Sequence, residues 1–145
     1  MSTPLPAISF EPQDDAGLAA REGTVVVFAE ASGTLAGPGA RAVDEAMGGA
    51  LSRALGDPAF KGKAGVVERF AWPTGMAARR VVLACLGEAG DAGRPGGAAL
   101  RKAGGAIAQA LASRVPASLV TAGIGDPETV AALVQAVALR LYDFR

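Results

Sequence analysis

With no histidine, one cysteine and fourteen residues of each charge sign, the chain has few ways to do chemistry. Lacking imidazole, it is excluded from Ser-His and Cys-His nucleophile pairs and from His-ligated zinc sites. Carboxylates remain as ligands for hard cations such as Mg²⁺ or Mn²⁺. The candidates are Asp14-Asp15, Asp44-Glu45 and Asp91. Each falls in a predicted loop or on a predicted helix surface, where a solvated side chain is expected. Cys85 lies inside the apolar run 81–86. A reactive thiolate needs nearby cations or a helix N-terminus, so a small buried thiol is the expectation here. A lone cysteine also forbids an intramolecular disulfide and fits a reducing compartment.

Glycine-rich loops between a strand and a helix are the other chemistry to weigh, because phosphates bind there in doubly wound folds. Gly87, Gly90 and Gly93 follow a strong strand signal. Their spacing is G-x-x-G-x-x-G, not the dinucleotide fingerprint G-x-G-x-x-G, and no Gly-Lys-Ser/Thr follows, so they read as turn formers. Gly123 and Gly125 precede the last helix without a third glycine at the right distance, and Asp126 at the cap would repel a phosphate. Gly62-Lys63-x-Gly65 leads into a strand, so its amides would not converge on an anion. The densest basic clusters, Arg79-Arg80 and Arg101-Lys102, are pairs beside apolar segments and read as solvated edges. The expected sets of catalytic, cofactor-binding and metal-ligating residues within this chain are therefore all empty.

The elements that would carry such groups form an α/β pattern. At 145 residues and half hydrophobic, the chain can bury a substantial core as one domain, residues 1–145. Residues 24–29 are a β-branched and aromatic run, apolar on both faces, as in a central strand. Residues 7–11, 65–72, 80–86 and 118–122 are further predicted strands. Val43, Met47, Ala50, Leu51 and Leu55 predict a first helix over 41–55, stopped by Gly56-Asp57-Pro58. Leu100, Ala103, Ile107 and Leu111 mark a second helix. Gly104-Gly105 within it costs about 1 kcal/mol per glycine relative to alanine, which a close approach to the sheet would offset. Asp126 is the expected N-cap of the last helix, with Pro127 its first residue and Glu128 at the positive end of its dipole. Val130, Leu133, Val134, Val137, Leu141 and Phe144 carry its apolar stripe on towards Arg145 without a stop signal. That is the pattern of a chain cut off before its natural continuation. Strands alternating with helices predict a mainly parallel sheet covered on both faces, with the N-terminal strands adding antiparallel pairing. The zero net charge argues against a nucleic-acid partner. The absence of a signal-peptide pattern and of a ~20-residue apolar span argues against a membrane and for the cytoplasm.

Several segments, in order, resemble one family. Leu55-Gly56-Asp57 with Phe60-Lys61-Gly62-Lys63-Ala64-Gly65 is similar to a "GD-F-x-GK-x-G" helix-to-strand loop. The segment Arg79-Arg80-Val81-Val82-Leu83-Ala84-Cys85-Leu86-Gly87-Glu88 resembles an "R-V-L-L-V-G-L-G-K/E" strand. Leu100-Arg101-Lys102-Ala103-Gly104-Gly105-Ala106 looks like an "R-K-A-G-G" helix, and Leu141-Tyr142-Asp143-Phe144 resembles "L-x-Y-x-F" near a domain junction. The family is that of the cytosolic leucyl aminopeptidases, and the resembling part is their N-terminal domain.

The resemblance implies a three-layer α/β/α fold like that of macro domains, with a mainly parallel, mixed sheet. It implies a full-length metallo-aminopeptidase, a homo-hexamer whose core is built by the C-terminal domains, with this domain outside it. Two divalent metals, manganese or zinc, would be held by lysine, aspartate and glutamate of that C-terminal domain, which also supplies the catalytic lysine and arginine. No position here matches those ligands: the signature "N-T-D-A-E-G-R" is absent, and Lys63 is not in the metal-binding lysine motif. The alternative is a stand-alone macro-like module binding ADP-ribose or a nucleotide. Against it, the Asn-Ala-Asn type loop and the triple-glycine phosphate loop of macro domains are missing.

Overall fold

A computed structural model describes residues 15–30, 34–35, 37–57, 66–86, 97–110, 117–119 and 127–143. Strands β1 (Thr24–Ala29), β2 (Val67–Ala71), β3 (Arg80–Cys85) and β4 (Ala117–Leu119) form one mixed sheet in the order β2-β3-β1-β4. β1 pairs in parallel with β3, Thr24 opposite Arg80 through Ala29 opposite Cys85, and in parallel with β4, Thr24 opposite Ala117. The antiparallel member is β2, with Val67 opposite Ala84 and Ala71 opposite Arg80. The predicted strand 7–11 lies outside the described residues.

β1 occupies the central position its two-sided apolar sequence predicts, and all six of its residues are buried. Because side chains alternate along a strand, β1 and β3 feed two separate cores. Val26, Phe28, Val82, Ala84 and Leu86 face α3 (Gly97–Ala110) and α4 (Pro127–Asp143), where Ala103, Ile107, Leu133 and Val137 meet them. Val25, Val27, Val81 and Leu83 face α1 (Pro38–Ala46) and α2 (Ala50–Leu55), meeting Ala40, Val43, Met47 and Leu51. The result is the expected α/β architecture in three layers, helices on both sides of the sheet.

Three local expectations need correction. The predicted helix 41–55 is two helices. α1 starts earlier, with Pro38 in its first turn, and ends at Ala46; Gly48 and Gly49 then take φ of 69° and 85°. Those values lie in the left-handed region that glycine enters without steric cost, so the helix breaks while its apolar spacing continues across the gap. The predicted strand 65–72 is narrower, since Trp72 leaves β2 with φ 49°. Gly104, finally, makes its close approach to α4 and not to the sheet. A Cβ at Gly104 would stand 2.6 Å from the Ala136 Cβ and 3.1 Å from the Val137 nitrogen. Pro127 begins α4 as its fixed φ predicts, while Asp126 and Phe144 lie outside the described residues.

Candidate functional site

In a sheet of this kind the ligand crevice lies beyond the carboxyl ends of adjacent parallel strands whose following helices lie on opposite faces. β1 and β3 meet that condition, since α1 follows β1 on one face and α3 follows β3 on the other. The described rim there is Ala29, Glu30, Cys85 and Leu86. Its amides are spent internally: Glu30 donates to the Thr34 carbonyl at 2.9 Å, Cys85 to the Val66 carbonyl at 2.9 Å and Leu86 to the Ala29 carbonyl at 3.1 Å. Amides committed in this way do not cradle an anion. The glycines weighed for phosphate binding, Gly87, Gly90, Gly93, Gly123 and Gly125, lie outside the described residues, as do Gly62, Lys63 and Gly65.

The acidic candidates do not converge. Asp14 and Asp91 lie outside the described residues, and Asp15 begins a short 3-10 helix, Asp15–Ala20. Glu45 is exposed on α1. Asp44, expected to be solvated, has a structural task. Its carboxylate accepts hydrogen bonds from the Leu51 amide at 2.9 Å, the Ser52 amide at 3.1 Å and the Ser52 hydroxyl. Gly49 at the N-cap of α2 has no side chain to offer, so Asp44 reaches over from α1 and satisfies the first amides of the next helix. The signal in the sequence was an aspartate separated from Ser52 by a Gly-Gly break. Among the described residues no group of three or more histidine, cysteine, aspartate or glutamate side chains is placed to hold a metal ion.

Cys85 is buried in β3, as expected of a small apolar thiol. Arg101 and Lys102 are exposed on α3. Arg79 differs from them. Its guanidinium carbon stands 5.4 Å from the ring centroid of Trp72, within range of a cation–π contact. Trp72 is 71% exposed, the single large apolar side chain so open among the described residues. Sequence reasoning missed it, because an aromatic residue at the end of a β-branched run reads as part of the strand.

The hairpin from β2 to β3 that carries this pair is tightly fixed. The Trp72 amide donates to the Arg79 carbonyl at 2.7 Å, and the Arg79 amide to the Gly23 carbonyl at 2.8 Å. The Met76 amide donates to the Pro73 carbonyl, closing a turn whose third residue, Gly75, has φ 84°. A type II turn requires that positive φ. Beneath it, Met76 and buried Ala78 pack onto the core that α1 and α2 share.

Residues 25–145 match the family described as the cytosol aminopeptidase family, N-terminal domain. The chain belongs to this family. The match starts inside β1, so it takes in α1 and α2 as well as the segments from Leu55 onward that carry the resemblance in the sequence. Two curated relatives agree. A protein named "Probable cytosol aminopeptidase" from Cereibacter sphaeroides is 38% identical over 145 residues, 99% of this chain and 27% of the relative. One of the same name from Dinoroseobacter shibae is 36% identical over 143 residues, 98% of this chain and 27% of the relative. The chain thus spans about a quarter of the length of the curated relatives it matches. Among the described residues no donor set fits a metal pair: the chain has no histidine, Cys85 is buried, and the described carboxylates stand apart.

Proposed function

We propose that this chain is the non-catalytic N-terminal domain of a dinuclear metal-dependent leucyl aminopeptidase that removes N-terminal residues from peptides in the cytoplasm. The observation that carries the reading is a coincidence of two coverages. The N-terminal family description matches residues 25–145, and nearly the whole chain aligns to only 27% of each relative. The rest of such a protein has ample length for a catalytic domain. Consistent with this, the Asp44 carboxylate caps a helix, and the amides of Trp72, Arg79, Glu30, Cys85 and Leu86 bond within the domain. In this reading two divalent ions, manganese or zinc, are held outside this chain. The domain's partners are its own C-terminal catalytic domain and, through it, a homo-hexamer. With zero net charge and, among the described residues, no helix long and apolar enough to cross a membrane, neither nucleic acid nor a bilayer enters the proposal.

Leucine p-nitroanilide hydrolysis with added Mn²⁺ or Zn²⁺ tests this reading, comparing the 145-residue chain with the protein extended through its native downstream reading frame. Hydrolysis by the extended protein alone is the expected result. Hydrolysis by the short chain would overturn the non-catalytic assignment. Silence in both would favour the macro-like ligand-binding module instead.

A further inference from the structure

Trp72 is costly where it stands. A bulky residue with φ 49° sits in the left-handed region that L side chains rarely adopt, at about 1–2 kcal/mol. Its indole gains little burial in return, being 71% exposed. Strain of this sort persists where the surroundings over-determine it, and it clusters at functional positions. The surroundings here do so through four backbone bonds: Trp72 to Arg79, Met76 to Pro73, and both Arg79 and Arg80 to the Gly23 carbonyl. Gly75 is wedged against α1, so the tip cannot drift: a Cβ there would lie 1.8 Å from the Ala46 carbonyl oxygen. Arg79 stands over the indole, within cation–π range. A solvent-facing tryptophan on a fixed turn, beside an arginine, combines two residue types enriched at the energetic centres of protein interfaces.

The topology says at which end of the domain the following polypeptide starts. The hairpin joins β2 to the first residue of β3, so it lies at the end of the sheet where β1, β3 and β4 begin. β4 carries the chain towards the opposite end, and α4 returns along the face of the sheet. At 17 residues and ~1.5 Å per residue, α4 is long enough to cover the height of the sheet. The polypeptide therefore leaves α4 at the hairpin's end of the domain. Anything downstream starts from the α3/α4 face at the same end of the domain as Trp72, and the tether holds it there at high effective concentration.

We infer that the hairpin tip carrying Trp72 and Arg79 docks this domain onto the polypeptide that follows it in the same chain, the part its relatives carry beyond the matched domain. The inference rests on the reading of this chain as the N-terminal domain of a longer aminopeptidase. The occupant would present a mainly apolar pocket for the indole, with an acceptor or carboxylate at its rim for Arg79.

Hydroxyl-radical footprinting of the extended protein tests it, with N-acetyltryptophanamide in the same tube as the fully exposed reference. Peptide-resolved mass spectrometry isolates Trp72 from any other tryptophan. Trp72 is expected to oxidise about fivefold or more slowly than the reference, as for a ring in a desolvated interface core. A rate equal to the reference overturns the docking proposal. A photo-crosslinker, p-benzoylphenylalanine, placed at position 72 then identifies the occupant. Cross-links to residues beyond Arg145 that leave a monomer band support the proposal; a covalent dimer overturns it in favour of a second copy. Leucine p-nitroanilide hydrolysis by the same sample separates the two readings. Activity with an unprotected Trp72 sinks the docking surface alone, and protection without activity sinks the peptidase reading alone.

Discussion

On the α3/α4 side of the sheet, two long helices approach so closely that Gly104 lacks room for a Cβ beside Ala136. On the α1/α2 side, two short helices pack on an apolar core and are joined by backbone geometry and polar caps: the left-handed Gly48-Gly49 break, the Asp44 carboxylate on the first amides of α2, and the turn at Gly75 against the Ala46 carbonyl. One face is closed by shape, the other by joints. A helix pair closed by shape resists rearrangement because its contacts are spread along both helices. On the α1/α2 face a few residues fix how the helices connect over their core, and a loop projects beyond it.

The comparison predicts unequal sensitivity to a single added methyl group. Gly75→Ala brings a Cβ to 1.8 Å from the Ala46 oxygen at φ 84°, adding overpacking to left-handed strain. It should cost about 3 kcal/mol or more by urea denaturation. Gly48→Ala shares the positive φ, at 69°, but meets nothing within 4 Å, so only about 1 kcal/mol of backbone cost is expected. Equal losses at the two positions would show that the joint at Gly75 is not a close contact.

On the opposite face Gly104→Ala gains helix propensity, ~1 kcal/mol, while its new methyl meets the Ala136 Cβ at 2.6 Å. Overpacking of about 1–3 kcal/mol wins, for a net loss near 1 kcal/mol. Ala136→Gly in the same chain removes the clashing methyl and should recover most of that loss as a favourable coupling in a double-mutant cycle. Additive effects would mean that the helices yield, and the contrast between the faces would then disappear.

The difference between the faces also explains what could be read from the sequence. β1 and β3 were legible because a run apolar on both sides suits a strand buried on both faces, and the start of α4 because Pro127 and Glu128 carry local signals. The break after α1 was not, since Val43, Met47, Ala50 and Leu51 keep helical spacing across it and periodicity does not register φ. The role of Gly104 depended on which surface α3 meets, and that is tertiary information. Family membership was legible from the ordered segments after Leu55. The match back to residue 25 was not, because a strand and two amphipathic helices meet a demand that many sequences satisfy. At the candidate site, the internal bonding of the rim amides at Glu30, Cys85 and Leu86 depends on register, and the exposure of Trp72 depends on where β2 ends.

The smallest expected effect is the most informative about that loop. Trp72→Gly should leave the stability of the 145-residue chain within about 0.5 kcal/mol of wild type, because three modest contributions nearly cancel. Glycine relieves about 1–2 kcal/mol of left-handed strain at φ 49°. Against that, it raises the entropy of the unfolded chain, costing about 0.4–1 kcal/mol. It also removes an exposed cation–π contact with Arg79, worth about 0.5–1 kcal/mol. A loss above ~2 kcal/mol in urea denaturation would mean that the indole contributes to the core sealed by Met76 and Ala78. If stability is unchanged, folding gives no reason for a tryptophan at this position. On the docking proposal, the same substitution should then weaken the contact of this domain with the polypeptide that follows it while its own fold stays intact.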